Sequence, residues 1–177
     1  MTGYIVFGVL IILALYVVSQ YNWFQTTKTR ITAAIQDIGN QLKRQASLIP
    51  NLESSTKGYL KHEKDIYEDI VSARKAVEKA SGGNDMSKIE AASNAISNLV
   101  PKLQVLVESN PELKATEVVT RLMDELRDTS DKLMYARRVV IDLSAEYNIR
   151  LVTLPSNIVA GMFGFKEQKG IATPTEG

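Results

Sequence analysis

The chain has 177 residues, with 21 Lys and Arg against 20 Asp and Glu, one His and no Cys. That near-balance excludes the strong positive field of a nucleic-acid binder. The absence of cysteine excludes a disulfide framework and any thiolate metal site, and it fits a reducing compartment.

Met1 to Thr27 contains no Lys, Arg, Asp, Glu or His, and Tyr4 to Val18 is almost wholly apolar. A bilayer core about 30 Å thick needs roughly 20 apolar helical residues. Ser19 to Phe24 extends the uncharged run, and Tyr21 and Trp23 suit the headgroup level. The rival reading is a cleaved leader. It would want basic residues before the apolar run and a small-x-small cleavage site after it. Neither is present, so residues 1–27 read as an uncleaved transmembrane anchor. Lys28, Arg30, Lys43 and Arg44 follow the span and no charged side chain precedes it. The positive-inside rule then expects a single-pass cell-membrane protein, N-terminus outside and C-terminal domain cytoplasmic.

Residues 28–154 carry helical apolar spacing with no competing strand alternation. The first stripe is Phe24, Ile31, Ile35, Ile38, Leu42 and Ile49. Pro50 lacks a backbone donor and disfavours helix before it, so the chain is expected to reverse within Leu48–Leu52. Leu52, Thr56, Tyr59, Ile66, Ile70, Ala73 and Val77 form the second stripe, ending in the loop Ser81–Asp85. Ser87 with Glu90 reads as a capping box. Ile89, Ala92, Ile96, Leu99, Leu103 and Leu106 make the third stripe, which Pro101 should bend. Asn110 is expected to cap the next helix, with Pro111 at its first position. The last stripe runs Ala115, Val119, Leu122, Leu126, Leu133, Ala136, Val140, Leu143, Tyr147 and Leu151, close to 60 Å of helix. Pro155 ends it. Residues 155–177 comprise an apolar segment, Ile158–Phe165, and a flexible polar tail. The expectation is all-α: one N-terminal transmembrane helix, then an antiparallel four-helix bundle of long helices with coiled-coil-like packing. In that topology the fourth helix returns to the bilayer. Ile158, Val159, Met162, Phe163 and Phe165, helped by Lys166 and Lys169, then either enter the interface or cap the bundle.

The segment Lys28–Lys61 holds six basic residues against Asp37 and Glu53. It reads as a solvated helix face, with attraction to anionic lipid as the alternative. His62, beside Glu63 and one to two turns before Asp65 and Asp69, lacks the further ligands a metal site needs and reads as a surface or packing histidine. Arg137 and Arg138 with Asp142, and Asp124, Glu125 and Asp128 with Arg127, read as charged faces laced by local pairs. Tyr135 and Tyr147 read as core-edge packing. Gly82-Gly83 lacks the strand and lysine of a phosphate loop. These residues support no catalytic site, no cofactor and no metal.

Several pieces, in order, resemble the LemA family of bacterial membrane-anchored helical proteins. They are Tyr21-Asn22, Gln41-Leu-Lys-Arg44, Leu48-Ile-Pro-Asn-Leu52, Lys57-Gly-Tyr59 with His62-Glu63, Pro111-Glu-Leu-Lys-Ala115, Ala136-Arg-Arg138, Tyr147-Asn148 with Arg150, and Pro155-Ser-Asn-Ile-Val-Ala-Gly-Met-Phe-Gly-Phe165. Ile35 stands where the family often has an aromatic, Pro101 interrupts a usually unbroken helix, and the tail lacks an aromatic ending. The resemblance implies a cytoplasmic four-helix bundle behind one membrane span, and no catalytic residues. The expected role is a non-catalytic scaffold or interaction protein, self-assembling at the membrane. Its partners are then the lipid bilayer and either further copies of itself or another membrane or cytoplasmic protein, with no nucleic acid. The alternative is an adapter or regulator of an envelope sensor or protease system.

Overall fold

A computed structural model describes residues 2–58, 64–81 and 85–170, and every regular element among them is helical. The order is α1 Thr2–Thr56, α2 Lys64–Ser81, α3 Met86–Ser109, α4 Pro111–Lys114, α5 Glu117–Val152 and α6 Ser156–Met162. The chain packs as two compact units. One joins Met1–Ala33 to Val139–Gly170, and the other is built on Ala34–Arg138.

Helix α1 is 55 residues long, about 80 Å of rod. Its start is long and apolar enough to cross a membrane, and none of the most apolar window is buried. Tyr4, Ile5, Phe7, Leu10, Ile12, Leu13 and Leu15 are all more than half exposed. Cover begins at Tyr16, Val17, Gln20 and Tyr21, which are half-buried, and Phe24 is the first side chain wholly removed from solvent. From there α1 presents a buried stripe at three- and four-residue steps: Phe24, Thr27, Ile31, Ala34, Ile38, Leu42, Gln45, Ile49, Leu52 and Thr56.

Pro50 does not reverse the chain. Helix α1 runs through it and on to Thr56. An internal proline costs about 3 kcal/mol through its missing N–H and ring clash. Leu48, Ile49, Leu52 and Thr56, on both sides of it, are buried on the same stripe, and each buried aliphatic side chain returns about 1.5–3 kcal/mol. The turn comes after Thr56. Arg74, in the middle of α2, pairs with Glu53 at 3.6 Å, and a continuous helix would separate those residues by about 30 Å. Pro101 likewise lies inside an uninterrupted α3.

The helix starts also differ in detail. Asp85 caps α3 in place of Ser87, its Oδ1 accepting from the Ser87 and Lys88 amides at 3.1 and 3.4 Å. The Lys88 ammonium, 3.1 Å away, and these amides hold its carboxyl below the usual range. Asn110 gives no side-chain cap to α4; its Nδ2 turns back to the Leu106 carbonyl at 2.7 Å. Helix α4 stops at Lys114, which leaves Ala115 exposed and starts α5 at Glu117.

In the Ala34–Arg138 unit all six predicted positions of α3 are buried, as are Ile70, Ala73 and Val77 of α2 and Val119, Leu126, Leu133 and Ala136 of α5. Ile35, Ile66 and Leu122 are only half-buried. Polar side chains tie the helices together. Glu53 meets Arg74, Asp69 meets Lys102, Gln104 meets Arg127 at 2.8 Å, Ser93 meets Arg137 at 2.8 Å, and Arg44 meets Glu125 at 3.1 Å.

Thr56, Thr129 and Gln45 are among the polar residues buried in this unit. Thr56 and Thr129 return their hydroxyls to the Leu52 and Leu126 carbonyls at 2.8 and 2.9 Å, the usual way a helix hides a hydroxyl. Gln45 is 0% exposed, and among the described residues neither its Nε2 nor its Oε1 has a hydrogen-bond partner. An unsatisfied buried amide costs about 1–3 kcal/mol. Gln45→Leu, of similar volume, should therefore raise stability by about 1–2 kcal/mol, read as a higher denaturation midpoint of the full chain in detergent. A lower midpoint would mean that Gln45 has a partner.

Candidate functional site: an aromatic cluster where the apolar stretch ends

Three stretches far apart in sequence meet in the first unit. Phe24 stands edge-on to Tyr147, centroids 5.2 Å apart, and stacks on Phe165 at 4.8 Å. Trp23 stacks on Tyr147 at 6.4 Å, and the Arg150 guanidinium lies 3.9 Å from the Trp23 ring centre. Tyr21 packs on Phe163 and Phe165 at 4.8 and 5.7 Å. Edge and offset ring pairs contribute about 0.5–1.5 kcal/mol each beyond the area they bury, and a cation over an indole about 0.5–1 kcal/mol at exposed sites.

Local structure aims these rings. Helix α5 places Tyr147 and Arg150 three residues apart on one face. The segment after α5 is then fastened by Ser156, whose hydroxyl donates to the carbonyls of Arg150 and Thr153 at 2.7 and 3.0 Å. Helix α6 ends in a Schellman turn. The Phe165 amide donates to the Ala160 carbonyl at 3.0 Å, the Gly164 amide to Gly161 at 3.3 Å, and Gly164 has φ +69°. That turn carries Phe165 onto Phe24. Asn148 holds the next residues: its Oδ1 accepts from the Gln168 amide and its Nδ2 donates to the Gln168 carbonyl, both at 2.9 Å. The polar tail is thus attached near Gln168; residues 171–177 lie outside those described.

The apolar segment divides by face. Val159 and Ala160 are buried and Phe165 is half-buried, which fits a packing role. Ile158, Met162 and Phe163 are 58%, 69% and 49% exposed.

The residues weighed for chemistry distribute otherwise than their types suggest. Tyr147 is fully buried, but Tyr135 is 73% exposed and packs into no core. Arg137, read as part of a solvated charged face, is 7% exposed and donates Nη1 to Ser93 Oγ, while its Nε and Nη2 have no partner among the described residues. Glu125 and Arg127 pair across helices with Arg44 and Gln104, and Asp128 makes a local pair with Lys132 at 2.8 Å. An open groove of about 480 Å³ is lined by Asp37, Gln41, Asp128, Asp131, Lys132, Tyr135 and Ala136. Among the described residues no three His, Cys, Asp or Glu side chains converge as a metal set. His62, Glu63 and Gly82-Gly83 lie outside those residues.

Sequence reasoning read Tyr147 as packing and brought Phe163 and Phe165 to the bilayer or the end of the bundle, but missed the ring contacts, the Asn148 clamp and the turn at Gly164. The signal for the last was available, because a glycine just after a short apolar run favours a left-handed helix end.

A model of the LemA family matches residues 34–176. The matched span includes Tyr147, Asn148, Arg150 and Pro155–Phe165, and it begins after Tyr21–Phe24. No curated protein matches the chain.

Two predictions follow from this geometry. Nothing crowds a Cβ at Gly164, so only its positive φ resists substitution. Gly164→Ala should cost about 1–2 kcal/mol and release Phe165, seen as stronger acrylamide quenching of Trp23, the single tryptophan. Unchanged quenching would show that the turn does not hold the cluster. Burial pushes the Tyr147 phenol above its usual range, and a hydrogen bond with Gln168 draws it partly back. A raised folded pKa adds stability that is complete below the unfolded value of about 10 and is lost as pH rises through the folded value. The native chain should therefore lose stability above about pH 10, and Tyr147→Phe should remove that component of the loss, measured by denaturation from pH 8 to 11.

Proposed function

The chain belongs to the LemA family, and on that premise we propose that it is a single-pass membrane protein whose cytoplasmic helices form a non-catalytic, self-assembling scaffold. The observation that carries this reading is the continuity of α1. One helix begins with an exposed apolar run and becomes, without a break, a packed component of the domain. A rod of this kind holds the domain at the membrane.

Two further observations support the uncleaved, N-outside form. Tyr21, Trp23 and Phe24 belong to the ring cluster, so cleavage within or after them would remove part of it. Lys28 and Arg30 follow directly and are exposed, in keeping with the positive-inside rule. The cross-helix pairs support the antiparallel four-helix reading of the domain. Ser93 and Gln104 of α3 meet Arg137 and Arg127 of α5 in reverse order. Asp69, early in α2, meets Lys102, late in α3, and Glu53 meets Arg74 across the turn after α1. The scaffold role is supported by site composition: the side chains brought together at the cluster are rings and a guanidinium packed on one another.

The test joins topology to partnership. With no native cysteine, single cysteines at Thr2 and Tyr135 can be labelled separately in intact cells by an impermeant maleimide. Thr2→Cys should react and Tyr135→Cys should not; the reverse pattern overturns the orientation. Capture of the tagged protein in native membrane patches should return chiefly further copies of this chain. A stoichiometric different protein would favour an adapter to an envelope sensor or protease system over the scaffold.

A further inference from the structure

We propose that the turn after α5 and the outer face of α6 form a second membrane contact, an apolar patch seated in the interface of an anionic bilayer beside the end of the span. The proposal rests on reading the start of α1 as a membrane span.

Ile158 and Met162, four residues apart, share one side of α6. They are 58% and 69% exposed, and Phe163 just after them is 49% exposed; Val152 and Leu154, at the end of α5 and in the turn before α6, are both 76% exposed. Ser156, Val159 and Ala160 of the same helix are buried. Five apolar side chains left outside between residues 152 and 163 make a stretch of the kind that marks an interaction surface.

Depth selects the occupant. The Phe163 ring is 4.8 Å from the Tyr21 ring, and Tyr21 lies three residues past Val18, the last residue of the apolar run. At 1.5 Å per residue that is about 5 Å along the axis, inside the headgroup layer when the run spans the core. Any side chain packed on Tyr21 shares that depth. The cover on α1 reaches still further, to the half-buried Tyr16 and Val17 within the run itself. Charge agrees with this placement. Lys28 and Arg30 follow Phe24 along α1, away from the apolar run, and Lys166 and Lys169 follow Phe165, whose ring meets Phe24 at 4.8 Å; all four are exposed. Apolar groups toward the core with basic groups behind them suit an interfacial segment over anionic lipid.

The cysteine-free chain allows a direct test. Full-length Ile158→Cys and Met162→Cys, each carrying a nitrobenzoxadiazole dye, are reconstituted in 3:1 phosphatidylcholine–phosphatidylglycerol vesicles with nitroxide-labelled lipid. Leu10→Cys reports the span, and Glu146→Cys, an exposed charged position on α5, reports the aqueous side. Lipid quenching at 158 and 162 should exceed that at 146 at least twofold. It should also fall when phosphatidylglycerol is omitted or when Lys166 and Lys169 are both changed to Glu. If Leu10 is quenched and 158 and 162 match 146, the patch is not in the bilayer and the inference fails while the span reading stands. If Leu10 is not quenched, the span reading fails and takes the inference with it. Dyes shielded from water but not quenched by lipid, and exposed again on dilution of the protein in lipid, would identify a second copy as the occupant and overturn the proposal.

Discussion

The first unit depends on the stacking of Phe24 between Tyr147 and Phe165. Its longest element, the start of α1, contributes exposed apolar surface and no buried side chain before Phe24. What joins that rod to the end of α5 and to the C-terminal segment is ring against ring at 4.8 to 5.2 Å, extended by Trp23 under Arg150 and Tyr21 against Phe163. These aromatics form one connected set, so removal of Phe24 would strand two neighbours at once. Loss of a buried Phe typically costs about 3–5 kcal/mol, a large fraction of a domain's stability. The smaller devices serve this contact. Ser156 fastens the segment that leads into α6, Gly164 turns the chain back, and Asn148 holds the strand that follows.

The second unit is held by different means. Its apolar stripes supply the cohesion, but leucine on leucine specifies register poorly. Register comes from polar pairs. Ser93–Arg137 and Gln104–Arg127 lie eleven residues apart on α3 and ten on α5. A slip of one turn would break both and leave the Arg137 guanidinium buried with nothing to accept from it. A buried charge stripped of its partner is strongly destabilising, so Arg137 penalises the wrong alignment more than it stabilises the right one.

Much of this was legible in the sequence. Every predicted position of α3 is buried, because Ile89 to Leu106 keeps a clean three-four spacing that Pro101 does not interrupt. Pro50 misled because its cost is local and visible, whereas the burial that outweighs it depends on residues of other helices. The exchange between Tyr135 and Arg137 has another cause. Residue type suggested that tyrosine packs and arginine is solvated. Yet Arg137 stands four residues after Leu133 and three before Val140, squarely on the buried stripe, and Tyr135 stands off it. Helical position outweighed polarity there, since a long side chain can bury its stem and carry its head to one partner. The ring cluster was not legible in detail, because contacts between residues 21–24, 147–150 and 163–165 are set by the packed fold and not by any local spacing.

These two kinds of adhesion bear on the proposed role. In the ring cluster Tyr147 is fully buried, Arg150 is placed over Trp23, and both amide atoms of Asn148 are engaged. The same unit leaves apolar surface exposed, on the start of α1 and on the outer side of α6. Apolar surface that remains exposed in the folded chain gains most from transfer to an apolar medium, and a bilayer is the medium that takes a fifteen-residue apolar rod whole. On the reading of that rod as a membrane span, the cluster determines what else goes to the membrane with it. Because Phe163 and Phe165 are fixed to Tyr21 and Phe24, the C-terminal segment cannot take up a position independent of the span. On the proposed reading, attachment of the chain to the bilayer is an attachment at both of its ends, made through one set of rings.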